Sequence, residues 1–133
     1  MDEALERAVE LSPEVKEANL DLVIAYLAAG AHERATAAWN KLKSLPDVLT
    51  RADYDRLIRA AAESRHHALV VELCREVLPQ TPGDVQLLGR LAGAYRDTGQ
   101  LELARSTLRQ AAKAEPALAA DVERLLQSLA PRR

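Results

Sequence analysis

Phenylalanine is absent from this chain, and one tryptophan and three tyrosines are its only aromatic residues. Its hydrophobic 48% is therefore mostly Ala, Leu and Val, which is enough apolar content to exclude a disordered tail. No apolar run approaches the ~20 residues that span a bilayer, so nothing in the sequence calls for direct membrane insertion. The opening MDEALERAVEL is acidic and amphipathic rather than basic and then apolar, which is not a signal-peptide pattern. Excess charge of one sign is lacking too. With a formal net charge of -2 and both signs interspersed, there is no basic field to condense onto phosphates, which argues against nucleic acid as a partner. The single cysteine, Cys74, allows no internal disulfide and no cysteine-ligated metal, and favours a reducing, cytoplasmic setting. A glycine-rich phosphate loop is also missing.

What is present favours helix throughout, because Ala, Leu, Glu and Arg are strong helix formers. Pro, Gly, Asp and Ser punctuate the chain into eight short helices with no strand pattern. The expected segments are 2–11, 14–29, 32–44, 51–64, 66–78, a helix from Val85 to near Thr98, 101–114 and 118–129. The second is apolar almost all round, with Val15, Ala18, Leu20, Leu22, Val23, Ile24, Tyr26 and Leu27, which predicts a helix covered on several sides. Gly30 and Gly99 follow the last turns of two helices, where glycine closes a helix cheaply in the left-handed conformation. Asp84 is placed to cap the helix that starts at Val85.

Pro82 and Pro116 bracket the stretch PGDVQLLGRLAGAYRDTGQLELARSTLRQAAKAEP, two amphipathic helices with prolines 34 residues apart. Leu88, Leu91, Ala92, Tyr95, Gly99, Ala104, Leu108, Ala111 and Pro116 in it match the sparse pattern of a tetratricopeptide repeat, and the chain resembles that family over nearly its whole length. Stepping back by 34 places Tyr54, Leu57, Ala61, Val70, Cys74 and Val77 on equivalent positions, with Ala61 where the family has tyrosine and Arg65 where it has glycine. One further unit, with Tyr26, Gly30, Ala35 and Trp39, fits after a slip of one residue near Pro46-Asp47. The resemblance implies an all-α, right-handed α-solenoid of antiparallel helix pairs. Within it, 1–13 is the second helix of a truncated repeat, 14–47, 51–82 and 83–116 are repeats, and 117–130 is a capping helix. In that cap, Val122, Leu125, Leu126 and Leu129 are expected to face inward. The N-terminus begins mid-unit, as a piece cut from a longer array would.

No catalytic, cofactor or metal site is expected. His32, His66 and His67 fall in turns and are read as solvated, with His32 and His67 in equivalent positions of neighbouring units roughly 10 Å apart. Cys74 is at a packing position, as a buried structural cysteine. The resemblance instead implies a concave groove lined by the first helix of each pair. By register, its candidate partner-binding residues are Leu20, Ile24 and Leu27, then Asp55, Arg56 and Arg59, then Gln86, Gly89, Arg90, Gly93 and Arg96. Leu20, Ile24 and Leu27 form one stripe at helical spacing, an apolar anchor site if open and core if covered. The arginines suit carboxylates of a ligand, against the alternative of pairing with Asp55, Glu63 and Asp97 on the same helices. Gly89 and Gly93 admit either a ligand backbone or a tightly packed helix. The subfamily that clamps chaperone-tail carboxylates uses Lys and Asn where this chain has Leu20, Ile24, Arg56 and Gln86. Only Arg90 matches, which argues against that role. The expected function is a protein-interaction module that takes a protein or peptide segment with apolar anchors and acidic residues. Self-association into a homo-oligomer, a spacer, and a regulatory region of a larger enzyme are the competing readings.

Overall fold

The Ala/Leu-rich segments fold as eight α-helices, with no strand among the described residues. The computed structural model describes residues 3–11, 15–45 and 49–129. In chain order these are α1 (Glu3–Leu11), α2 (Lys16–Ala28), α3 (His32–Lys43), α4 (Arg51–Glu63), α5 (His67–Val77), α6 (Val85–Asp97), α7 (Leu101–Ala114) and α8 (Ala119–Ser128). Single 3₁₀ turns occupy Leu78–Gln80 and Pro116–Leu118. The expected stops at Pro13 and Pro46-Asp47 and the tail from residue 130 lie outside the described residues. Among the described residues, no helix is long and apolar enough to cross a membrane.

One backbone device closes three of these helices. After α2, the Ala31 N–H donates to Tyr26 O and the Gly30 N–H to Leu27 O. After α4, His66 donates to Ala61 O and Arg65 to Ala62 O; after α6, Gln100 donates to Tyr95 O and Gly99 to Arg96 O. Each pair satisfies two of the carbonyls that a helix end leaves without partners, and each requires a left-handed residue just past the cap. Gly30, Arg65 and Gly99 supply it, with φ of 73°, 60° and 79°. Their spacing, 35 and then 34 residues, puts the repeat period into the backbone itself. Arg65 takes this conformation although it carries a Cβ, at a cost of roughly 1–2 kcal/mol. Arg65→Gly is therefore expected to raise the unfolding free energy by about 1 kcal/mol, after allowing for the greater freedom of glycine in the unfolded chain. Denaturant unfolding checks this, and a loss of stability would show that the arginine side chain contributes more than its backbone costs.

The chain divides into two compact units, Met1–Leu69 and Val70–Arg133. In the N-terminal unit, α2 packs against α1, α3 and α4, as its all-round apolar sequence predicts. Leu20, Val23 and Leu27 of α2 are completely buried, alongside Trp39 and Leu42 of α3 and Leu57 and Ile58 of α4. The Trp39 ring meets Tyr54 of α4 edge-on, centroids 6.2 Å apart, a favoured aromatic geometry. Buried Asn19 is satisfied by donating to the Val15 carbonyl at 2.8 Å. Thr50 and Asp53 form a reciprocal capping box at the start of α4: the Thr50 N–H donates to Asp53 Oδ2 at 2.9 Å, and the Asp53 N–H to Thr50 Oγ1 at 3.1 Å.

In the C-terminal unit, α6 packs on α7 and α7 on α8. Small residues let the first pair approach, with Ala92 and Ala104 both buried, and Tyr95 is buried beside them. Asp84 caps α6 by accepting from the N–H groups of Gln86 and Leu87, both at 3.1 Å. The last helix starts one residue later than its expected Leu118, because Pro116 opens a 3₁₀ turn closed by the Leu118 N–H on Glu115 O. Its inward face is also narrower than the pattern predicts. Val122 and Leu129 are buried, but Leu126 is half-buried and Leu125 is 45% exposed. Among the described residues, α7 is the longer helix that packs most closely on α8, and it covers one edge of the apolar stripe.

Candidate interaction surfaces

The apolar stripe of α2 does not form an open anchor site. Leu20 and Leu27 have no exposed surface and Ile24 is half-buried, because α1 and α4 complete the packing around a helix that α3 already supports. Leu20 and Leu27 are core residues, which corrects their reading as groove residues. Ile24 retains partial exposure.

On α4, Asp55, Arg56 and Arg59 are all exposed. Asp55 accepts from Arg51 Nε at 2.9 Å, one turn earlier on the same helix. Arg56 does not pair along its own helix; it reaches α2, with Nη2 3.1 Å from Asp21 Oδ1 and Nη1 3.8 Å from Glu17 Oε2. All three of these groups are well exposed, so the pairing is worth at most ~1 kcal/mol and exchanges readily for a ligand carboxylate. Arg59 has no ion-pair partner among the described residues. The more buried pair is Lys16 of α2 with Asp53 of α4, 3.1 Å apart, which no spacing in the sequence signals. Burial opposes charge on Asp53, but the Thr50 backbone N–H, the Lys16 ammonium and the Thr50 hydroxyl together hold its carboxyl below the usual range.

The histidines also depart from expectation. His32 stacks on His66, not His67, with ring centroids 4.6 Å apart. The spacing of roughly 10 Å applies to helix axes, whereas these side chains extend toward each other from two turns. Both rings are partly buried rather than solvated. The Leu69 N–H donates to His66 Nδ1 at 3.3 Å, so the ring proton sits on Nε2 and donates to Thr36 Oγ1 at 2.9 Å. The Thr36 hydroxyl donates to the His32 carbonyl, and His32 Nε2 donates to the Ser64 carbonyl, both at 3.0 Å. Desolvation and the neighbouring His32 lower the His66 pKa. Among the described residues, no group of three or more His, Cys, Asp or Glu could hold a metal. Cys74 is buried and forms no disulfide.

On α6, Gln86, Gly89, Arg90 and Arg96 are exposed and Gly93 is half-buried. Arg96 Nε donates to Asp97 Oδ1 at 3.1 Å, and Arg90 has no ion-pair partner among the described residues. A Cβ built at Gly89 or Gly93 meets nothing within 4 Å, so the reading in which these glycines admit a tightly packed neighbouring helix does not hold. They open onto a cavity of about 110 Å³ lined by Ala92, Arg96, Leu108, Leu125, Ser128 and Leu129. The backbone of Leu129 is held by Arg105 of α7, whose Nη2 donates to the Leu129 carbonyl at 2.9 Å. Leu108, Leu125, Ser128 and Leu129 join the candidate residues here. Leu108 is a packing position of the repeat pattern, Leu125 and Leu129 belong to the apolar stripe of the last helix, which the same pattern assigns to packing, and no sequence signal marks Ser128.

The fold is that of a known helical repeat. The chain superimposes on the crystal structure of MamA with a TM-score of 0.61 at 16% identity, covering 95% of this chain and 78% of that one. MamA contains tetratricopeptide repeats. No family model and no curated protein matches the sequence. The likeness at this identity establishes an all-α helical repeat fold for the chain.

Proposed function

We propose that the chain is a tetratricopeptide-type protein-interaction module that binds an acidic segment of a partner protein, with apolar side chains as anchors. The observation that carries this reading is electrostatic. Exposed Arg59 on α4 and Arg90 on α6 have no ion-pair partner among the described residues, and Arg56 and Arg96 on the same two helices hold only exposed, exchangeable counter-ions. Guanidinium groups presented this way bind carboxylates bidentately, and on exposed helices they add little to stability. The helical repeat fold supports the reading, since such arrays use exposed helix faces as binding surfaces.

Selection from a displayed peptide library tests the proposal. Enriched peptides are expected to combine Asp or Glu with aliphatic residues, and Arg59→Ala with Arg90→Ala is expected to weaken them roughly fivefold and flatten the salt dependence of binding. Enrichment without acidic residues, or unchanged affinity in the double variant, would overturn it.

A further inference from the structure

The cavity between α6 and α8 gives the anchor a location. Its lining is mostly apolar, with Leu108, Leu125, Leu129 and Ala92 beside Gly89 and Gly93, and it includes exposed Arg96. About 110 Å³ is somewhat less than the ~150 Å³ of apolar cavity that holds a benzene ring, and it suits a four-carbon aliphatic side chain. We propose that this cavity is the anchor subsite of the module and takes a leucine-sized side chain of a partner segment, with a neighbouring Asp or Glu on Arg96 and Arg90. This rests on the reading of the chain as a protein-binding module.

Three observations converge on that occupant. Leu125, 45% exposed, is an apolar wall that α7 leaves uncovered, and burying it is favourable in proportion to its apolar area. Arg96 uses only Nε on Asp97, so its two terminal nitrogens remain for a carboxylate in the forked geometry that guanidinium favours. The chemistry is therefore an apolar group beside a negative charge. Gly89 and Gly93, finally, are each about 1 kcal/mol worse than Ala inside a helix. The fold gives no steric reason for either, because a Cβ at each would meet nothing within 4 Å. A local choice against stability without an internal packing reason is expected where an external group must fit.

The test uses 15N-labelled full chain and two capped peptides, Glu-Glu-Leu-Glu-Glu and its central-alanine counterpart. The leucine peptide is expected to shift the amide resonances of Gly89, Gly93, Leu125 and Leu129, and to bind roughly tenfold more tightly than the alanine peptide. Gly89→Ala with Gly93→Ala adds two methyl groups to the lining, and is expected to weaken the leucine peptide at least roughly fivefold while raising the melting temperature, so a loss of fold is not the explanation. Equal binding of the two peptides, or undiminished binding of the leucine peptide by the double-alanine variant, overturns the subsite. If Arg90→Ala then weakens both peptides alike, the acidic-partner reading survives without it. If neither peptide shifts any resonance on α6 or α8, the subsite fails and that face is not where an acidic segment binds.

Discussion

Replacing Leu20 with alanine will lower the unfolding free energy by about 3 kcal/mol, whereas Ile24→Ala, one turn further along the same helix, will cost roughly 1 kcal/mol. Both deletions remove similar apolar volume, so the difference measures surroundings. Leu20 has no exposed surface, on a helix enclosed by α1, α3 and α4, and the cavity left behind cannot collapse from any side. Ile24 is half-buried, and water or a neighbouring side chain relaxes into the space. Chemical denaturation of the two variants under one condition reads the contrast. Equal, small losses would mean that the stripe faces solvent after all and that the anchor belongs on α2, in competition with the cavity on α6 and α8.

That contrast also marks where the sequence stops being informative. Helix positions are legible because Pro, Gly and Asp act locally: Asp84 caps α6 and Gly30 and Gly99 close α2 and α6 through hydrogen bonds within six residues. Even Arg65, a departure from the glycine pattern, occupies the same left-handed conformation, because three helix ends impose one geometry. Which side of an all-apolar helix is covered is set by other elements, and neither Leu20 nor Leu27 carries a mark of it. Non-local pairing is hidden for the same reason. Helical spacing offers Arg56 acids on its own helix, yet its partners are Asp21, 35 positions away, and Glu17. The cavity needs three helices in place before Leu125 can become a wall of a site.

Stability will fall in two separate steps as the pH is lowered, one from His66 and one from Asp53. The folded chain holds His66 neutral, since Nδ1 accepts from the Leu69 N–H and protonation there would set two donors against each other. Desolvation, with the charges of His32 and then His67 adding to it, lowers its pKa from the ordinary 6.5. The stability from this group is therefore complete above 6.5 and is lost as the pH falls from there toward its lower folded value. Asp53 titrates separately. Burial alone would raise its pKa, but the Thr50 N–H, Lys16 and the Thr50 hydroxyl bring it below the ordinary 3.8, so its contribution is complete above 3.8 and disappears as the pH falls through the folded value. Denaturant unfolding from neutral pH down to about pH 3 should show both steps, His66→Gln flattening the upper and Asp53→Asn the lower. Asp53→Ala is the severe variant, expected to cost about 2 kcal/mol at neutral pH, because it removes half of the capping box on α4 and the partner of a largely buried Lys16 at once. A single transition that neither substitution alters would mean that acid acts through the exposed ion pairs, and that the interlocked turns holding His32, Thr36 and His66 do not report pH.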